Sequence, residues 1–198
     1  MGGWAVKIAP YYTHVDDYID AALVKAITAM GMPTPWVQLQ FANQQAEFYG
    51  IDLTGHVELA RGAGGASTAL HGSLAWLHGQ NLSDHAPLYH QMPLDLKLEL
   101  QHRAGPLEAG AELEWVAAKT RVDATRHEPV GSAYALVNLR LAYDLGAVRL
   151  SVAAENLLDQ AYDLPLGGVS LGDYKASGIL RALPGRGRSV NFGLTAAF

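Results

Sequence analysis

The chain has 198 residues, no cysteine and a formal net charge of −5. Without thiols, disulfides, thiolate metal centres and cysteine nucleophiles are excluded, and an acidic balance with no basic stripe argues against nucleic acid as a partner. Hydrophobic residues reach 49% but are dispersed, so nothing approaches the run of ~18 apolar residues that a membrane helix needs.

The opening MGGWAVKIAP has no basic segment ahead of an apolar core, so no signal peptide is expected. From there, strict alternation of apolar and polar residues predicts about eight strands, at 3–12, 37–60, 67–78, 92–103, 108–120, 133–145, 148–156 and 189–198. The run AALVKAITAM at 21–30 is compatible with a brief helix inside the first long connection. Through 37–59 one phase holds: Val37, Leu39, Phe41, Tyr49, Ile51, Leu53, Val57 and Leu59 oppose Gln38, Gln40, Gln44, Asp52, Thr54, His56 and Glu58. In MPLDLKLELQHR, Leu94, Leu96, Leu98 and Leu100 oppose Asp95, Lys97, Glu99, Gln101 and Arg103. A helix would scatter those leucines, whereas a strand segregates them. The stretches AYALVNLRLAYDL and VRLSVAAEN repeat the pattern. In the last segment Val190, Phe192, Leu194, Ala196 and Phe198 oppose Ser189, Asn191, Gly193, Thr195 and Ala197, and the terminal aromatic is expected to anchor the chain where lipid meets water.

The connections alternate in length. Those at 62–66, 104–107 and 145–147 are tight, whereas 21–36, 81–91, 121–132 and 157–188 are long. Short turns at one rim and long loops at the other are the build of an outer-membrane β-barrel, and an even strand count puts both termini at the short-turn rim. In the strongly alternating strands every Arg, Lys, Asp and Glu falls on the polar phase. That matters because a Lys or Arg facing lipid at the midplane costs ~2–4 kcal/mol. Trp4, Tyr12, Trp36, Tyr49, Trp76, Trp115 and Tyr143 lie mostly near strand ends on the apolar phase, as interfacial girdle residues do. A soluble β-sandwich binding module also alternates. A small closed eight-strand barrel with a structural or adhesion role is the other alternative.

The segments APYYTHVDDYID, QFANQQAEFYGIDLTG, LYHQMPLDLKLEL, VAAKTRVDATRHEPVGSAYALVNLRLAY, AENLLDQAYDLPLG and the closing GRS strand carry a family resemblance. The chain resembles the C-terminal barrel portion of a TonB-dependent outer-membrane receptor, most like the copper and zinc receptor group. The resemblance implies an all-β fold, an antiparallel transmembrane β-barrel segment of about eight strands within a barrel of about 22. Residues 1–198 would all belong to that segment, with plug domain and signal peptide absent. It further implies TonB-dependent uptake of a metal ion or metal complex, copper or zinc or a siderophore, across the bacterial outer membrane, with the C-terminus periplasmic. The implied partners are outer-membrane lipid, the plug and earlier strands of the same receptor, the TonB complex through that plug, and the barrel assembly machinery through the strand ending at Phe198.

Catalysis finds no support: there is no Ser-His-Asp constellation at a nucleophile elbow and no phosphate loop, so a non-enzyme without a resident cofactor is expected. Asn156 and Asp159 read as turn formers, and Gly185 and Gly187 as the residues that let the chain turn into its last strand. Lys97, Glu99, Glu112, Glu114, Arg140, Arg149 and Glu155 are expected to form a charge ladder on an inner wall. Candidate metal ligands are His78, His85, His90, Met92 and His127, expected at strand tops and in extracellular loops beside Asp84, Asp123 and Glu128. Imidazole with carboxylate suits Zn²⁺ or Cu²⁺, and a thioether adds affinity for Cu⁺. His56, His71 and His102 fall towards the short-turn rim, where a structural role is expected.

Overall fold

A computed structural model describes residues 3–197. Phe198, the expected terminal anchor, lies outside the described residues. The strands are β1 Trp4–Ala29, β2 Met32–Arg61, β3 Ser67–Asn81, β4 Asp95–Ala104, β5 Leu107–Val116, β6 Tyr134–Asp144, β7 Val148–Glu155 and β8 Ser189–Ala196. They form one antiparallel sheet in sequential order from β1 to β8. A sandwich needs two facing sheets, so that architecture is not the one adopted.

The first hairpin departs from expectation. Residues 21–29 are strand, not helix, and the connection is two residues, Met30 (φ 52°) and Gly31 (φ 77°). Positive φ at both central positions is the hairpin turn whose twist matches the flanking strands. The period-two signal fails here for a physical reason. The register jumps between Val15 and Tyr18, between Leu23 and Lys25 and between Ala26 and Thr28. The first two jumps put an extra residue in β1, each flipping the following side chains to the other face, and the third puts the extra residues in β2. Before the first bulge Trp4, Val6, Ile8 and Tyr12 share the face of Val57, Leu53 and Tyr49; after it Ala21 and Leu23 stand opposite Phe41 and Leu39.

Register then carries one apolar face across the whole sheet. A single row runs Leu53, Leu74, Leu96, Trp115 and Ala135; another runs Leu141, Val152 and Phe192. Within the rows that cross from Trp4, Leu107 and Val148 up to Tyr12, Trp115 and Ala154, no Asp, Glu, Lys or Arg among the described residues shares this face. None of its side chains is buried, and Phe192 and Trp4 on the edge strands are 84% and 73% exposed. Trp4 to Tyr12 and Leu107 to Trp115 each span nine residues, against ~9–11 for a tilted strand crossing a bilayer.

The chain exposes 12584 Å², whereas a compact soluble monomer of this mass would expose about 9,100 Å². The small buried core lies on the opposite face at the loop-bearing end, where Val116, Tyr134 and Leu136 pack with Met92 and Tyr162. The three long connections, 82–94, 117–133 and 156–188, gather over it. The last contains an unanticipated helix, α1 Leu171–Ser177, capped by Ser170, whose Oγ accepts from the Asp173 N–H at 3.2 Å, and stopped by Gly178 at φ 72°. Tyr174 of α1 meets Trp36 of β2 edge-on, with ring centroids 5.3 Å apart.

Candidate functional site: the polar face and its loop cover

Because side chains alternate, the apolar outer rows dictate an inner face made of the residues between them. That face carries the expected ladder of charges. Lys97 Nζ lies 3.3 Å from Glu114, and Arg140 bridges Glu99 and Glu112 at 3.1 Å each. Arg149 bridges Glu108 at 2.9 Å and Asp144 at 2.8 Å, while Arg103 reaches Glu108 at 3.4 Å. Asn138 Nδ2 donates to Glu112 at 2.8 Å. A concavity of about 200 Å³ at the loop end is lined by Gln91, Met92, Lys119 and Arg121, and one of about 290 Å³ by Glu112, Glu114, Arg140 and Glu155. These partly exposed pairs contribute only ~0.2–1 kcal/mol each. Their larger effect is to make one wall of the sheet wettable.

Above the ladder the loops are joined by a buried ion pair. Lys119 Nζ lies 2.6 Å from Glu128 Oε1, and the two side chains are 4% and 2% exposed. The surrounding hydrogen bonds tie three connections together. Lys119 Nζ donates to the Pro165 carbonyl at 2.6 Å, the His90 N–H to Glu128 Oε1 at 3.0 Å, and the Asp123 N–H to Glu128 Oε2 at 2.8 Å. Arg126 joins this cover to β1 by pairing with Asp20, and its guanidinium sits 4.7 Å from the centre of the Tyr89 ring. Burial pushes the Asp123 carboxyl above its ordinary value, against the opposing pull of the Thr125 and Arg126 amides and the Arg126 guanidinium. Gln91 fastens the first long loop to β3, accepting from the Gly79 N–H at 2.6 Å and donating to the Gly79 carbonyl at 2.8 Å.

The candidate metal ligands are dispersed through this cover. His78 lies within β3 rather than in a loop, stacked on Tyr49 at 4.5 Å. His85, His90 and His127 hold φ of 60°, 59° and 52°, a left-handed conformation in which His, like Asn and Asp, is enriched. These three serve as turn residues. The ring of His90 lies on Tyr89 at 4.1 Å, and Met92 packs against the Val116 cluster. Among the described residues, no group of three or more His, Asp or Glu side chains is placed to hold a metal ion.

Asn156 and Asp159 are turn formers as expected: Asn156 Oδ1 accepts from the Gln160 N–H at 2.9 Å, and Asp159 Oδ1 from the Arg188 N–H at 2.9 Å. Gly185 has a different role from the one expected. Its φ is not left-handed; a Cβ there would come within 2.1 Å of the Tyr162 ring, so the glycine makes room for that ring. The Lys119–Glu128 and Arg126–Asp20 pairs were missed. Their partners are separated by 9 and 106 positions, and no motif marks either.

An up-and-down antiparallel sheet with an apolar outer face, a charged inner face and packed loops at one end has the fold of a segment of transmembrane β-barrel wall. Comparison with solved structures agrees. The chain is similar to "Copper transporter OprC", with a TM-score of 0.81 and 24% sequence identity over 98% of this chain. It spans 29% of the length of that structure. No protein-family model matches the chain, and no curated protein matches it by sequence.

Proposed function

We propose that this chain forms eight strands and the covering loops of a TonB-dependent outer-membrane transporter for a metal ion or metal complex, copper before zinc or a siderophore. The observation that carries this reading is the uncharged outer face continuous from β1 to β8, backed by a charged inner wall. Water would leave that outer face as a large unburied patch, whereas lipid solvates it. The likeness to a copper transporter supports the choice of cargo. In this reading a plug and further strands of the same protein complete the barrel, the plug meets the TonB complex, β8 is read by the assembly machinery, and the C-terminus is periplasmic. The protein is a carrier rather than an enzyme, with the metal as cargo.

His85, His90, His127 and Met92 in the loop cover and His78 near the upper end of β3 enter as separate capture positions, not as one cluster. The test is copper accumulation by cells that express the full-length protein, with and without an intact TonB system. TonB-dependent accumulation is expected, and accumulation no greater than in cells lacking the protein would remove the transport reading. Replacing His78, His85, His90 and His127 together is expected to weaken Cu²⁺ binding in isothermal titration of the full-length protein. Unchanged affinity would take these loops out of the reading.

A further inference from the structure

Two histidines away from the loop cover stand side by side on the inner wall. His56 of β2 and His71 of β3 are direct register partners, with ring centroids 5.9 Å apart and planes 28° from parallel. They belong to the polar phase, with Thr54 and Ser73 as neighbours on the same face. The row continues through Glu99, opposite His71, then Glu112 and Asn138. His14 and His102 have side-chain partners in Asp16 and Thr68. Among the described residues neither His56 nor His71 has one, and Arg140 engages Glu99 from the far side.

An imidazole nitrogen binds a transition ion at about 2.0–2.1 Å, which puts each ring centroid roughly 3.2 Å from the ion and two bridged rings at most about 6.4 Å apart. The observed separation of 5.9 Å falls inside that limit, as a pair sharing one ion requires. Glu99, opposite His71, sets one carboxylate beside the pair, shared with Arg140, and paired neutral imidazoles favour Cu²⁺ or Zn²⁺ over Mg²⁺ or Ca²⁺.

We propose that His56 and His71 form a two-histidine site for a divalent, imidazole-preferring metal ion on the inner wall near the short-turn rim, with water completing its coordination. The site stands on the geometry of the pair. Its role as a stop on the cargo's route deepens the transport reading and rests on it.

The experiment uses the full-length protein in detergent. Carbethoxylation of individual histidines is followed by mass spectrometry with and without ZnCl₂, and Cu²⁺ bound from CuCl₂ is examined by electron paramagnetic resonance. Zinc is expected to protect His56 and His71 together, by severalfold, while His14 and His102 stay as reactive as before. The Cu²⁺ spectrum is expected to show coupling to two nitrogens that both His56→Gln and His71→Gln lose. Equal labelling with and without zinc, or a copper spectrum unchanged in the double variant, would overturn the site. If a variant does not fold, zinc protection in the unaltered protein decides alone. Protection without copper accumulation in cells leaves the site standing and removes transport; accumulation without protection does the reverse.

Discussion

Lys119 and Glu128 are the residues on which the loop cover depends. Removing one member of a buried ion pair leaves an uncompensated charge and costs ~3–5 kcal/mol. Lys119→Ala is therefore expected to loosen residues 82–94, 117–133 and 156–188 together, seen as faster limited proteolysis of all three connections in the full-length protein. Loosening of 117–133 alone would show that the Lys119–Glu128 pair does not link them. Gly185→Ala forces a Cβ into the Tyr162 ring and is expected to cost ~1–3 kcal/mol as overpacking, read as a lower midpoint of thermal unfolding. For Asp123 the sign of the pH effect follows from a folded value raised by burial. The folded loop then binds the proton more tightly than the unfolded chain. This group's contribution to stability accordingly rises as pH falls through the folded value and levels off below the unfolded one. Asp123→Asn is expected to abolish that rise, measured as proteolysis of 117–133 in variant and parent across the acid range.

At the scale of elements, the outer and inner phases make a sharp pair of substitutions. Leu139 of β6 sits midway between the Trp115 row and the Tyr143 row on the outer face, and its neighbour Asn138 points inward. Leu139→Arg is expected to lose ~2–4 kcal/mol in lipid, and Asn138→Arg far less because its face is already charged. Denaturant unfolding of both variants in lipid vesicles measures the difference, and equal losses would show that the outer face does not meet lipid. Seven of the eight strand starts, and the three tight turns at 62–66, 104–107 and 145–147, were legible because alternation is a local signal. The upper half of β1 was not. Its two extra residues convert period two into an irregular apolar run that resembles a helix. Helix α1 was marked by Ser170, Asp173 and Gly178 in capping positions, but its seven residues are too few for helical periodicity to show.

For the molecule as a whole, β1 and β8 are the edges, each hydrogen-bonded to one neighbour among the described residues. In lipid, every unpaired backbone group on such an edge costs several kcal/mol. The 198-residue segment refolded alone in detergent is therefore expected to lack the heat-modifiable gel migration of a closed barrel. Heat-modifiable migration of the segment would instead favour the small closed eight-strand barrel.

The alternation and the sign of each face were written in the sequence, because in a strand neighbouring positions point to opposite sides whatever lies beside them. The pairing of β2 with β3, β4 with β5 and β6 with β7 was legible too, since short turns force neighbours to pair. Only the tertiary structure decided which side chains from distant positions meet. The joining of three loops at Lys119 and Glu128, the packing of Met92 against the Val116 cluster and the pairing of His56 with His71 all depend on register or loop packing. A shift of one residue in register would have placed those histidines on opposite faces.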